Sequence, residues 1–160
     1  MTSAVDSFEA AMKAANVPPG WSVMPFHFGF VGVNGPLYVK PDNGDLLVGF
    51  RVEERHCNPM KTAHGGMMSL FADMLMPIAA RFQAEGMADK FLPTIHLGID
   101  FLGTAPLGSW VEGRTRVGKV TRKMVFADCF ATADGEPCLR ANGVFKIGPV
   151  VAPLKFVFDE

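Results

Sequence analysis

The sequence predicts an α+β fold, with a curved antiparallel sheet wrapped around one long helix. Three observations predict it. The chain has 160 residues, a length that suits one domain with one core. The stretch from Gly65 to about Glu85 is apolar on nearly every side at helical spacing, so it must be buried on nearly every side. Downstream, four segments with strand patterns are separated by short turns, which implies antiparallel pairing.

The elements follow in order. Ser3 to about Asn16 is predicted as a helix: Val5, Phe8, Met12 and Ala15 keep the three-four spacing, Thr2 or Ser3 caps it, and "VPPG" stops it. "FHFGFVGVNG" places Phe26, Phe28 and Phe30 on alternate positions and predicts a strand. "LYVK" and "LLVGFRVEE" predict two more, parted by the turn "PDNGD". The long helix carries Met67, Met68, Leu70, Phe71, Met74, Leu75, Met76, Ile78, Ala79 and Phe82, with Pro77 inside to kink it or release a carbonyl. "TIHLGIDFLG", "SWVEGRTRVGKV", "KMVFADCFATAD" and "PCLRANGVFKIG" complete a sheet of five or six strands. Such a sheet covers one face of the helix, and the other face needs a partner. The domain reading is a single unit over 1–160, with a helical extension at 1–20, a core at 24–148 and a tail at 149–160.

Composition narrows the function. A net charge of -1 offers no global basic field for nucleic acid or anionic lipid. No charge-free apolar run reaches membrane-spanning length. The N-terminus bears Asp6 and Glu9 without an apolar core and does not resemble a signal peptide. Cys57, Cys129 and Cys138 are odd in number and lack CxxC spacing, which fits a reducing cytoplasm without a disulfide scaffold. His56, Cys57 and His64 match no standard zinc spacing, so no metal site is expected, and a lone Cys57 is expected to be an inert thiol. His27 and His96 fall in strand patterns as structural or surface groups, and Asp100 faces solvent. Hydrophobic residues make up 49% of the chain, which points to apolar surface covered by a second copy.

Two features carry chemistry. Asp73 sits among Ser69, Leu70, Met76 and Pro77 on the helix surface, where an unpaired carboxylate is expected to have a raised pKa. It is a general base or nucleophile, or else a buried carboxylate satisfied by backbone or a hydroxyl. His64-Gly65-Gly66 opens the same helix, where backbone N–H groups lack intrahelical partners and glycine lets a substrate approach. Such an N–H can hold an oxyanion, or the glycines merely permit the turn. Asp73 lies eight residues beyond Gly65, about 12 Å along a helix axis, too far for both to touch one carbon. Two copies packed antiparallel about a two-fold axis would bring the Gly65 end of one to Asp73 of the other.

Asn58, His64, Gly65, Gly66, Ala72 and Asp73, in the pattern N-x5-H-G-G-x5-A-D, resemble the hotdog-fold acyl-CoA thioesterases, closest to the phenylacetyl-CoA (PaaI-like) branch. The resemblance spans roughly Met24 to Lys146 and includes "HLGIDFLGTAPLG". It implies a hotdog fold, an acyl-CoA substrate, no cofactor beyond the coenzyme A of that substrate, and a homodimer, possible also as a pair of dimers. It implies that the Gly65 N–H binds the thioester carbonyl and that Asp73 of the partner activates water or attacks directly. Asn58 would orient water or thioester, His64 would shape the carbonyl site, and Thr94 matches a Ser or Thr near the water. Gly66 would touch substrate. In "GRTRVGKVTRK", Arg114, Arg116, Lys119, Arg122 and Lys123 are either a solvated turn or, for Lys119, Arg122 and Lys123, a dock for coenzyme A phosphates. Met positions of the helix, Phe71 and the phenylalanines of "PFHFGF" are core or acyl-pocket lining. Relatives commonly have Gly where this chain has Lys61, and Pro77 is a second departure. Two rivals remain: a hotdog enoyl-CoA hydratase or dehydratase, which uses a His with different spacing, and a non-catalytic acyl-CoA binder, which would not require a base.

Overall fold

The structure is a computed structural model and describes residues 10, 12–26, 29–156 and 158. Residues 10 and 12–14 are helical and residues 15–16 form a turn; residues 1–9 and 11 of the expected helical segment lie outside the described residues. Seven strands form one antiparallel sheet: β1 (Ser22–Val23), β2 (Tyr38–Asp42), β3 (Asp45–Arg51), β4 (Thr94–Phe101), β5 (Trp110–Val120), β6 (Met124–Ala133) and β7 (Glu136–Lys146). Their spatial order is β1-β2-β3-β5-β6-β7-β4. The strand that follows the long helix therefore crosses over to the far edge, beside β7.

One expected strand is a helix instead. Gly29–Asn34 forms α1, preceded by residues 27 and 28, which lie outside the described residues. Gly29 has φ 62, which breaks the extended run that alternating phenylalanines suggested. The last carbonyls of α1 are then claimed from outside: Arg55 donates to Val33 O and Gly35 O, and His56 Nε2 to Asn34 O at 2.9 Å. Those partners are about twenty residues away in sequence, so local patterning could not reveal them.

The long helix α2 runs Gly65–Gln83. Phe71, Ala72, Leu75, Met76, Ala79 and Ala80 are completely buried against the sheet. Ser69, Asp73, Met74, Pro77 and Arg81 remain half-buried, forming a stripe that the sheet does not cover. The helix approaches β5 closely because Gly113 lacks a side chain; a Cβ there would stand 2.5 Å from Leu75 Cδ2 and 3.3 Å from Phe71. Phe71 packs on Phe50, 5.1 Å between ring centres, and belongs to the core rather than to an acyl pocket. The chain beyond β7 is not a loose tail. Phe91 N–H donates to Pro149 O and Val151 N–H to Asp89 O, and Val150 bridges Lys90. No helix among the described residues is long and apolar enough to cross a membrane.

The glycine contact yields a test. Gly113→Val should destabilise the fold by about 1–3 kcal/mol through overpacking, measured as a lower urea midpoint.

Candidate active site

His64 caps α2. Its backbone is extended (φ -62, ψ 143) and its Nδ1 accepts the Gly66 N–H at 2.8 Å. An accepting Nδ1 places the imidazole proton on Nε2, leaving that N–H to point elsewhere. The Gly66 amide is thereby engaged by the cap. The Gly65 N–H, one position earlier, has no acceptor among the described residues. The Phe101 ring lies over it, its Cζ 3.5 Å from where a Cβ would stand.

Asn58 holds the loop that leads into the cap. Its Oδ1 accepts from Met60 N–H at 2.9 Å, and its Nδ2 donates to Thr62 Oγ1 at 3.0 Å. One Nδ2 hydrogen has no partner in that geometry. Lys61 stands at φ 58, a left-handed position that suits glycine, and its side chain pairs with Glu54. The loop therefore keeps its left-handed turn despite Lys61.

Asp73 is half-buried rather than isolated in apolar surroundings. Thr94 Oγ1 donates to its Oδ1 at 2.6 Å, a short charge-assisted bond that leaves Oδ2 for another donor. Thr94 begins β4, and Phe101 ends it. The two reactive features thus sit at opposite ends of one strand: the carboxylate at Thr94, the unpaired amide at Phe101. β4 is a sheet edge, and Ile95 and Phe101 are 58% and 57% exposed along it.

Beside Asp73 and Thr94 opens a cavity of about 720 Å³. Phe26 and Met74 line it, as expected for an acyl pocket, together with Pro77, Ile78, Phe91 and Leu154. Pro77 cannot donate to the Asp73 carbonyl four residues back, so that oxygen lacks its usual helical partner. Arg81, two turns beyond Asp73, also lines the cavity; burial lowers its pKa from the usual guanidinium value. Sequence reading missed Arg81 and the 151–154 wall. The signal for Arg81 was its place at i+8 from Asp73 on one helix face; the wall had none.

The basic cluster divides. Arg114 pairs with Asp42 and Asp45, and Arg116 with Asp128. Lys119, Arg122 and Lys123 are exposed, with no carboxylate partner among the described residues. The register Thr94–Phe145–Val125–Val120 runs straight across four strands, so these cations share the end of the sheet that holds Asp73. Three strand spacings make about 14 Å.

Other titratable groups are structural. His56 is buried; its Nδ1 accepts Glu53 N–H at 3.0 Å while Nε2 faces Asn34 O. Burial, then the Arg55 guanidinium, pushes its pKa below 6.5, so the ring is held neutral. Cys57 donates to Glu53 O, and burial lifts the thiols of Cys129 and Cys138 to about 12 and about 11. All three are free thiols. Asp100 is exposed and pairs with Arg140. His96 is exposed, and His27 lies outside the described residues.

Comparison with known proteins decides the family. The thioesterase superfamily model matches residues 60–138, which hold the cap, the helix, strands β4 to β6 and the start of β7. A candidate esterase of Pseudomonas aeruginosa, PA0474, is 34% identical over 133 residues, covering 82% of this chain and 98% of that protein. The chain belongs to the thioesterase superfamily. Its fold is the hotdog fold. Zebrafish thioesterase superfamily member 2 superposes with a TM-score of 0.65 at 20% identity, over 92% of this chain and 100% of that one. A Streptococcus mutans protein solved with acetyl CoA superposes with a TM-score of 0.63 at 16% identity, over 79% and 100%. In this superfamily member the helix–sheet packing, the glycine cap and the Asp73–Thr94 pair all belong to the matched hotdog scaffold.

His56 makes stability depend on pH. The unfolded chain takes up a proton as the pH drops through the ordinary 6.5, and the folded chain resists it. That part of stability is complete above 6.5 and is lost as pH falls toward the lowered folded value. The urea midpoint should fall between about pH 7.5 and pH 5.5, and His56→Gln should flatten that fall.

Proposed function

We propose that this protein is an acyl-CoA thioesterase, and that each active site is shared by two copies of the chain. One observation carries the reading: the free Gly65 amide and the Asp73 carboxylate lie at opposite ends of the exposed edge strand β4. An edge strand of this length and apolarity calls for cover. Antiparallel pairing of two β4 strands about a two-fold axis sets the Thr94 end of one against the Phe101 end of the other. The Gly65 N–H of one copy then faces Asp73 of its partner, which about 12 Å of helix prevents within one chain.

The chemistry follows. The thioester carbonyl oxygen accepts from the Gly65 N–H, with the His64 Nε2–H and the remaining Asn58 hydrogen at the same rim. Asp73, steadied by Thr94, removes a proton from water as it attacks the carbonyl carbon, and negative charge collects on the oxygen that Gly65 faces. Collapse breaks the C–S bond; coenzyme A leaves as thiolate and takes the proton, and the acyl group leaves as a carboxylic acid. Direct attack by Asp73 would form an anhydride instead, which water then opens. Lys119, Arg122 and Lys123 receive the coenzyme A phosphates. No cofactor is required. The Streptococcus mutans relative solved with acetyl CoA supports a coenzyme A ester as substrate. The protein acts in the cytoplasm.

Two tests are specific. Asp73→Asn should lower kcat by orders of magnitude. Gly65→Pro deletes the amide hydrogen and sets a ring in van der Waals contact with Phe101; proline is accommodated at the first helical position after an extended residue, and kcat should drop on the order of 10²–10³. Mixing the two inactive variants should restore thiol release to about one quarter of wild type, since half the random dimers regain one intact site. No recovery in verified mixed dimers would reject the shared site. Single turnover in ¹⁸O-water should leave Asp73 unlabelled; label in its carboxylate would establish the anhydride route.

A further inference from the structure

The cavity beside Asp73 extends along α2 toward Arg81. Asp73, Pro77 and Arg81 recur every four residues along one face of α2, so Arg81 stands about 12 Å beyond the carboxylate. Between them the walls are Met74, Pro77 and Ile78 from the helix, with Phe91 and Leu154 opposite. At the far end the Arg81 guanidinium is held by main-chain carbonyls through Nε and Nη2. Its Nη2 donates to Ala88 O at 2.9 Å and to Ala152 O at 3.0 Å, and its Nε to Ala88 O at 3.3 Å. These bonds join three remote pieces of chain: the helix, the loop after it, and the segment beyond β7. The Val150–Lys90 bridge and the Val151 N–H bond to Asp89 O, 2.8 Å, extend the same seam. Leu154 lies just past this anchor and packs on the core.

Resting on the thioesterase reading, we propose that Arg81 ties residues 150–154 across the end of the acyl cavity, and that Leu154 there limits the substrate to neutral acyl groups of about octanoyl length. The lining supplies the reason for neutrality. Among the described residues, the charged side chains lining the cavity are Asp73 at the reacting end and Arg81, whose Nε and Nη2 donors, though not Nη1, are occupied by main-chain carbonyls. An acyl chain therefore meets carbon along its length and a wall at about 12 Å, the reach of an extended octanoyl chain. Arg81 is a positioning residue, acting through the segment it holds.

The test is thiol release by the full chain across acetyl-, butyryl-, octanoyl- and hexadecanoyl-CoA, with suberyl-CoA as an octanoyl-length ester bearing a terminal carboxylate. Wild type should favour octanoyl over both acetyl and hexadecanoyl in kcat/KM by about tenfold or more. Leu154→Trp should lower the octanoyl-to-butyryl ratio about tenfold, while Leu154→Ala and Arg81→Gln should raise the hexadecanoyl-to-octanoyl ratio by a similar factor. These opposite shifts could not come from a general loss of folding. Unchanged ratios, or a uniform loss across the ladder in all three variants, would overturn the end wall. So would a wild-type optimum at acetyl or hexadecanoyl. A preference for suberyl over octanoyl would overturn it too, by assigning Arg81 to a substrate charge. If wild type released thiol from none of these esters, the thioesterase reading would fall first and the end wall with it.

Discussion

A nineteen-residue helix that is apolar over most of its surface lies on one face of a single sheet, and that mismatch governs the molecule. The sheet can bury one side of α2, and it does so tightly because Gly113 lets Leu75 and Phe71 reach its backbone. The remaining stripe, from Ser69 through Asp73 and Pro77 to Arg81, stays half-covered. Burial against the sheet leaves no room there for polar groups without partners. Every group with chemistry on this helix accordingly lies on the uncovered stripe or at the capped end.

The edge strand β4 measures the separation between those groups. Its first residue holds Asp73 and its last ring covers Gly65, so the strand runs alongside the helix as a ruler. The cap adds selectivity among amides that are equivalent in sequence. His64 consumes the Gly66 N–H, Met67 and Met68 return to the His64 carbonyl, and Gly65 alone in this turn keeps a donor to offer. An N-terminal helix end usually presents several such donors; here one side chain reduces them to one aimed at the rim.

The two histidines around the loop are held in different ways. His56 is locked between Glu53 and Asn34 and kept neutral by burial, so it stitches α1 to the loop before the helix. His64 is exposed and shapes the amide pair. Eight residues apart, the two look alike in sequence. Their difference is solvent access and partners contributed from Asn34, a segment whose alternating phenylalanines pointed to a strand.

Periodicity by itself determined the long helix, its start at the glycine pair and the burial of its sheet-facing side, four of the strands after it and the two before, because those patterns are local and strongly repeated; the all-round burial it suggested gives way to a half-covered stripe. The motif around Asn58, His64, Gly65 and Asp73 was equally legible, since its spacing lies within one loop and one helix. Tertiary structure alone decided the rest. It made α1 a helix by lending it Arg55 and His56, moved β4 to the far edge, and chose Thr94 as the partner of Asp73. It also turned an irregular C-terminal stretch into a wall pinned by Arg81. Each of these depends on contacts between residues far apart in the chain, whose energies no local pattern records.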